Sequence, residues 1–344
     1  MTRTAVLICP GRGTYNKPEL GYLHRHHADR MQLFAQFDAI RAEAGQEGVT
    51  ALDGAGRYTV STYSRGDIAS PLIYAASLAD AQSLAVDIEV VAVTGNSMGW
   101  YIALAAGGAV TPENGFRVVN TMGTLMQDHL IGGQLVYPFA REDWSNDAER
   151  KAELLADVVR IDALDGHELA LSIDLGGMLV LAGNEAGLSA FEHAQPTVQD
   201  RFPMRLANHA AFHTALQAPV AAEGRARLSA DMFDPPERPL IDGRGKIWWP
   251  GATDTQALWD YTLGHQVTET YDFTRAIQTA AREFAPDLFI VTGPGATLGG
   301  AVAQSLVLAD WKGMSDKAAF QAQQDAQPFL IAMGREDQRS LATG

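Results

Sequence analysis

Apolar runs alternate with helix-period stretches through the first third of the chain. Residues 4–9 form an uninterrupted apolar segment ended by Pro10-Gly11-Arg12-Gly13, the form of a strand buried on both faces. A polar helical region rich in Ala and Gln follows, and a helix is predicted over 71–84. Glu89-Val90-Val91-Ala92-Val93-Thr94 gives a second buried strand. After it comes a helix over 100–106, broken at Gly107-Gly108, and another over 112–127. Such alternation predicts a mostly parallel sheet with helices on both faces.

The pattern changes after Ile131-Gly132-Gly133. A strand at 134–139, a helix at 146–159, a hairpin of 168–174 with 178–181 joined at Gly176-Gly177, a helix at 184–194 and a strand at 202–206 follow in order. This βαββαβ succession is that of a ferredoxin-like unit. The chain then resumes its initial alternation, with a helix near 215–228, a strand at 239–242, a helix at 273–285, and a strand at 287–291 leading into Thr292-Gly293-Pro294-Gly295. The expected architecture is α/β: a large α/β-hydrolase-like domain with a parallel sheet (1–130 and 208–344), carrying an inserted ferredoxin-like α+β subdomain (131–207). The stretch from about residue 316 is polar and is expected to be peripheral.

Candidate chemistry centres on Gly95-Asn96-Ser97-Met98-Gly99. A GxSxG sequence between a buried strand and a helix is the setting of a nucleophile elbow, in which a tight turn lifts the serine hydroxyl above the sheet edge. The helix N-terminus behind it aims backbone N–H groups at any oxyanion that forms there.

Composition narrows the partners. With 344 residues and 47% hydrophobic content the chain can fill a large core, and no apolar run approaches the roughly 20 residues of a membrane span. A net charge of −15 argues against nucleic acid, which demands cations to neutralise phosphates. It also requires a local basic patch for any acidic partner; Arg141, Arg150, Lys151, Arg201 and Arg205 are the possible contributors. A single cysteine, Cys9, excludes an intrachain disulfide and fits a reducing, cytoplasmic setting, with the thiol expected to be a buried small apolar group. No cofactor is implied. His24, His26 and His27 cluster without complementary Cys or carboxylate spacing, so they read as a solvated loop, and no metal is expected.

A serine nucleophile needs a base. His193 falls on a predicted surface helix. His265 is where a Ser, acid, His order would place the base, and His213 enters a helix among small residues. Spacing leaves His213 and His265 open.

Here the sequence resembles the malonyl-CoA:acyl-carrier-protein acyltransferase family over nearly its full length. Cys9-Pro10-Gly11-Arg12-Gly13-Thr14 resembles the family's F-P-G-Q-G-S, and Gly95-Asn96-Ser97-Met98-Gly99-Trp100 its G-H-S-L-G-E. Ala211-Phe212-His213-Thr214 matches the segment of the catalytic histidine, and Val291-Thr292-Gly293-Pro294-Gly295 resembles E-V-G-P-G. The resemblance implies ping-pong transfer of an acyl group from acyl-CoA through Ser97 to the thiol of an acyl carrier protein. His213 would be the base, the amides of Met98 and Arg12 the oxyanion hole, and a main-chain carbonyl near Asp242 the group that orients His213.

The departures bear on the substrate. The family's carboxylate-binding arginine is replaced by Met122, which cannot offer a bidentate fork. Arg117 lies five helical residues away, about 140° round the helix, and cannot substitute. An uncharged acyl group, rather than malonyl, is therefore expected. Arg12 stands at the family's glutamine; its guanidinium could approach the acyl group or the CoA phosphates, or face solvent. Asn96 and Trp100 replace histidine and glutamate, and Phe212 is the family's residue for acyl groups unbranched at the α-carbon. Met122, Phe212, Trp100 and Asn96 are the expected substrate-binding positions, and Arg12 is expected to serve the oxyanion hole through its amide. Two alternatives remain: a thioester hydrolase of the same fold, and a non-catalytic binding subunit.

Overall fold

The computed structural model describes residues 2–343. In chain order its strands are β1 (Arg3–Cys9), β2 (Ile88–Gly95), β3 (Gly133–Pro138), β4 (Leu169–Leu175), β5 (Met178–Gly183), β6 (Met204–Arg205), β7 (Leu240–Ile241), β8 (Ile247–Trp248), β9 (Tyr271–Asp272), β10 (Leu288–Val291) and β11 (Leu330–Ala332). They make two sheets. The larger has the order β11-β10-β1-β2-β7-β8, parallel throughout except for β8. Its central strand β1 is buried from Ala5 to Cys9, as an apolar run without alternation requires. The chain leaves β1 to opposite sides for β2 and β10. The carboxyl ends of these strands therefore face one crevice, where ligands collect in open α/β sheets.

The second sheet has the order β6-β3-β5-β4-β9. Its first four strands are the ferredoxin-like set, β3-helix-β4-β5-helix-β6, with helices Ala148–Asp162 and Glu185–Ala194 between them. The fifth strand comes from the returning chain: β9 pairs in parallel with β4, and its Tyr271 hydroxyl donates to the carbonyl of Gly95 at 2.6 Å. That bond ties the second sheet to the turn that follows β2.

Several elements differ from the expectation, β8 and β9 being unforeseen and the strand over 239–242 shortened to Leu240–Ile241. The helix predicted over 71–84 starts earlier, as Gly66–Ala81, with Pro71 inside it. Proline there removes the N–H that would bond the Asp67 carbonyl. That carbonyl instead accepts from Arg41 at 2.9 Å, a buried arginine held also by Asn120. The strand predicted over 202–206 shrinks to Met204–Arg205. The C-terminal stretch is not peripheral, since β11 extends the main sheet and the Ala342 carbonyl accepts from the amide of Ala85 at 2.8 Å. The strand lies within the short apolar run Phe329-Leu330-Ile331-Ala332-Met333, too short for its period to separate strand from helix.

Candidate active site

The turn after β2 is built by close backbone approach. A Cβ on Gly95 would stand 2.2 Å from the Gly99 carbonyl, and one on Gly99 would stand 2.2 Å from the carbonyl of Cys9. Only glycine fits either place. The turn holds Ser97 at φ 56°, a left-handed conformation that costs a non-glycine residue free energy and is found where function demands it. Helix Gly99–Ala106 begins immediately behind it.

The histidine arrives from the other sheet. The Ala211 amide donates to Ile131 at 2.7 Å and Ser172 Oγ donates to the Phe212 carbonyl at 2.8 Å, fixing the segment to β4 and the start of the ferredoxin-like unit. His213 is also left-handed, at φ 57°. Its Nε2 accepts from Ser97 Oγ at 2.7 Å, while its Nδ1–H donates to the carbonyl of Gln266 at 2.6 Å. That carbonyl selects the tautomer with a free Nε2 lone pair, the form a general base needs. Burial pushes the imidazole down to about 4; the Gln266 bond opposes this and the charge of His265 adds to it. His213 is thus neutral at pH 7. The Gln266 side chain completes the frame, donating to the Ser97 carbonyl at 3.1 Å and accepting from Tyr101 at 3.0 Å. The amides of Met98 and Arg12 bond no partner among the described residues, leaving two donors beside Ser97.

Of the other sequence-predicted residues, some join this site and some do not. His265 lies on the turn Tyr261–His265 with its ring stacked on Tyr261, and His193 is exposed, so of the three it is His213 that bonds Ser97. Asp242 is a correction. Its buried carboxylate accepts from Trp248 Nε1 at 3.0 Å and from the Arg244 guanidinium at 2.5 Å, whereas the carbonyl that orients His213 belongs to Gln266. Trp100 is fully buried, its indole N–H donating to Thr262 at 3.0 Å, so it packs the elbow and does not meet substrate. Asn96 also lies outside the pocket, with its Oδ1 buried and unbonded among the described residues. Met122 is buried too, but its sulfur faces Gly224 on the helix Ala218–Arg227. On helix Pro112–His129 it is Gly123 and Met126, three residues apart and on one face, that line the pocket.

The pocket beside Ser97 and His213 is lined also by Ser70, Met98, Tyr101, Phe212, Gln266, Val267 and Arg12. Only about 20 Å³ of it is open to the centre of a water molecule, enough for about one water as it stands. Sequence reasoning missed Ser70, Tyr101, Gly123, Met126, Gln266 and Val267, because each reaches the site only through packing. Arg12 is partly buried, and its guanidinium is turned into the pocket wall. Its Nη2 donates to the carbonyls of Ser64 at 2.5 Å and Asn208 at 2.9 Å, and its guanidinium lies 5.4 Å from the Phe212 ring centre.

The remaining candidates are engaged elsewhere. His24 bonds Asp53, His26 pairs with Glu336, and the buried His27 bonds Asp80, so the histidines are not a solvated loop. Among the described residues no group of three or more Cys, His, Asp or Glu side chains is placed to hold a metal ion. Cys9 is buried, and burial pushes its thiol up to about 12. Arg141, Arg150, Lys151 and Arg205 are each paired with a carboxylate, so they form no basic patch with Arg201. No helix among the described residues is long and apolar enough to cross a membrane.

A parallel α/β sheet with a serine elbow, crossed by a ferredoxin-like unit that delivers a histidine, is the fold of the malonyl-CoA:acyl carrier protein transacylases. The chain is similar to the enzyme of Xanthomonas oryzae pv. oryzae, with a TM-score of 0.75 and 19% identity over 100% of both chains. It is similar to that of Coxiella burnetii, at 0.77 and 16% over 99% of this chain and 97% of the other. A malonyl-transacylase solved in complex with its type II polyketide acyl-carrier protein matches at 0.71 and 19%, over 95% and 100%. No family model and no curated protein sequence matches the chain.

Proposed function

We propose that this chain is a serine-dependent acyltransferase that moves a short acyl group from an acyl-CoA thioester to the phosphopantetheine thiol of an acyl carrier protein. The observation that carries the reading is the Ser97–His213–Gln266 relay at 2.7 and 2.6 Å, with a neutral imidazole at its centre.

In the first half-reaction Ser97 Oγ attacks the thioester carbonyl carbon as its proton passes to His213 Nε2. The Met98 and Arg12 amides hold the oxyanion, a contribution of about 3 kcal/mol per donor in comparable sites. Collapse breaks the C–S bond, and His213 returns the proton to the leaving sulfur. In the second half the incoming thiol gives its proton to His213 and attacks the acyl-serine ester, and Ser97 Oγ recovers the proton. Charge on His213 is stabilised by the Gln266 carbonyl, a dyad arrangement without a buried aspartate.

Met122 turns away from the pocket, so this chain cannot grip an acyl carboxylate from helix Pro112–His129. The small pocket favours a short acyl chain.

Intact mass of the protein after incubation with a panel of acyl-CoA donors tests the reading, followed by addition of phosphopantetheinylated carrier protein or of buffer alone. An adduct on Ser97 that only the carrier thiol discharges supports transfer. Spontaneous loss assigns a hydrolase instead, and the absence of any adduct assigns a binding subunit.

A further inference from the structure

The pocket beside Ser97 contains one permanently charged side chain, Arg12, which no carboxylate contacts among the described residues, Asp67 acting on it only from a distance. Burying an uncompensated guanidinium in an apolar setting is costly, and proteins pair such groups or use them. Arg12 makes no ion pair among the described residues. The neighbouring carboxylate of Asp67 is taken by Arg65 at 2.9 Å. The two Nη2 hydrogens are committed to the carbonyls of Ser64 and Asn208, which fix the group in place. Nε is buried and unbonded, and Nη1 has no partner among the described residues. The Phe212 ring covers one side, and close contact of Gly66 with Gly123, where each Cβ would meet the other's carbonyl at 2.6–2.7 Å, keeps side chains from filling the space between the two helices. The pocket is thus a mostly apolar slot with an immobilised cation in its wall that no carboxylate among the described residues contacts. Nearby His209 is neutral, its imidazole pushed well down by burial and by the charge of Arg12.

We propose that Arg12 is the receptor for an anionic group at the far end of the acyl chain, so that the site takes a short carboxyacyl thioester. The cation missing at Met122 is supplied from the loop after β1. This replaces the uncharged acyl group expected from Met122 alone, and it rests on the acyl-transfer reading above. A carboxylate entering the slot would gain charge-assisted bonds from a guanidinium already partly withdrawn from water in the folded protein.

The test pairs malonyl with isovaleryl thioesters, which share a shape and differ in charge. Each is presented as the CoA thioester and as the phosphate-free N-acetylcysteamine thioester, and acylation of Ser97 is followed by mass. Wild type is expected to favour malonyl by at least about tenfold in both series, the scale of one charge-assisted contact. Arg12→Gln is expected to lower that ratio at least about tenfold, and Arg12→Lys to restore part of it, with thermal melting confirming that both variants fold. A wild-type ratio at or below one, or a ratio unmoved in Arg12→Gln, overturns the proposal. So does a preference confined to the CoA series, which would assign Arg12 to the CoA phosphates. Calorimetric binding of the same two N-acetylcysteamine thioesters to Ser97→Ala keeps the two readings apart. A malonyl preference there that needs Arg12 supports this inference even if no donor acylates Ser97, and equal binding overturns it even if transfer stands.

Discussion

The two walls of the site are built on different terms. The nucleophile wall is local: Gly95 to Gly99 lie within five residues, and their geometry follows from glycine at both ends of a tight turn. The acyl wall is assembled from five separated stretches of chain, bringing Arg12, Ser70, Gly123 with Met126, Phe212 and Val267 together from both sheets and the helices between them. The first tolerates little change because backbone meets backbone there. The second is a matter of which side chain points inward: Met122 packs against Gly224 outside the pocket, and Arg12 lines it. On the proposed function, chemistry is held on the rigid wall and specificity on the adjustable one, as expected when binding groups sit on packing that can be exchanged without disturbing the strained centre.

Four measurements put that contrast at risk. The largest effect is expected at His213, which bonds Ser97 Oγ from the opposite side of the crevice. His213→Ala should slow acylation of Ser97 by about a thousandfold, read by mass against time. Next is the rigid wall itself. Gly95→Ala drives a methyl group into the Gly99 carbonyl and should cost about 3 kcal/mol of stability in urea unfolding, or prevent folding. A loss under about 1 kcal/mol would mean the elbow is less constrained than its contacts imply.

The third is the pH profile. The base form of His213 is the neutral one and its folded value is lowered to about 4, so activity is kept as pH falls and is lost only through that value. Acylation at pH 5.5 should stay near its plateau, roughly tenfold above what an unshifted histidine near 6.5 would allow. An acid limb near 6.5 would show that the site is wetter than its burial indicates. The smallest effect is expected at Met122, which lies outside the pocket. Met122→Leu conserves volume and should cost less than about 1.5 kcal/mol, with no change in acyl preference. A changed preference would return Met122 to the acyl wall.

Sequence and structure divide along the same line. The elbow, the alternation that yields the parallel sheet and the βαββαβ unit are all legible in the chain. They depend on glycine spacing and apolar runs, which are local properties. His213 is one of two candidates until folding brings Val267 and Gln266 against its segment. Asp242 misleads for the same reason, since a buried carboxylate beside a strand end has several donors open to it and only packing decides that Trp248 and Arg244 take them. Pro71 misleads at short range because the donor that rescues its helix, Arg41, comes from 26 residues before Asp67.

The serine turn and the two-sheet architecture were thus written in the order of residues along the chain, since they rest on backbone sterics and periodicity that no distant residue can override. Folding alone settled which histidine stands beside Ser97, which carbonyl orients it, and that the pocket's cation is Arg12. Those assignments depend on the direction a side chain takes when two sheets and the helices between them close on one crevice, and no local pattern encodes that direction.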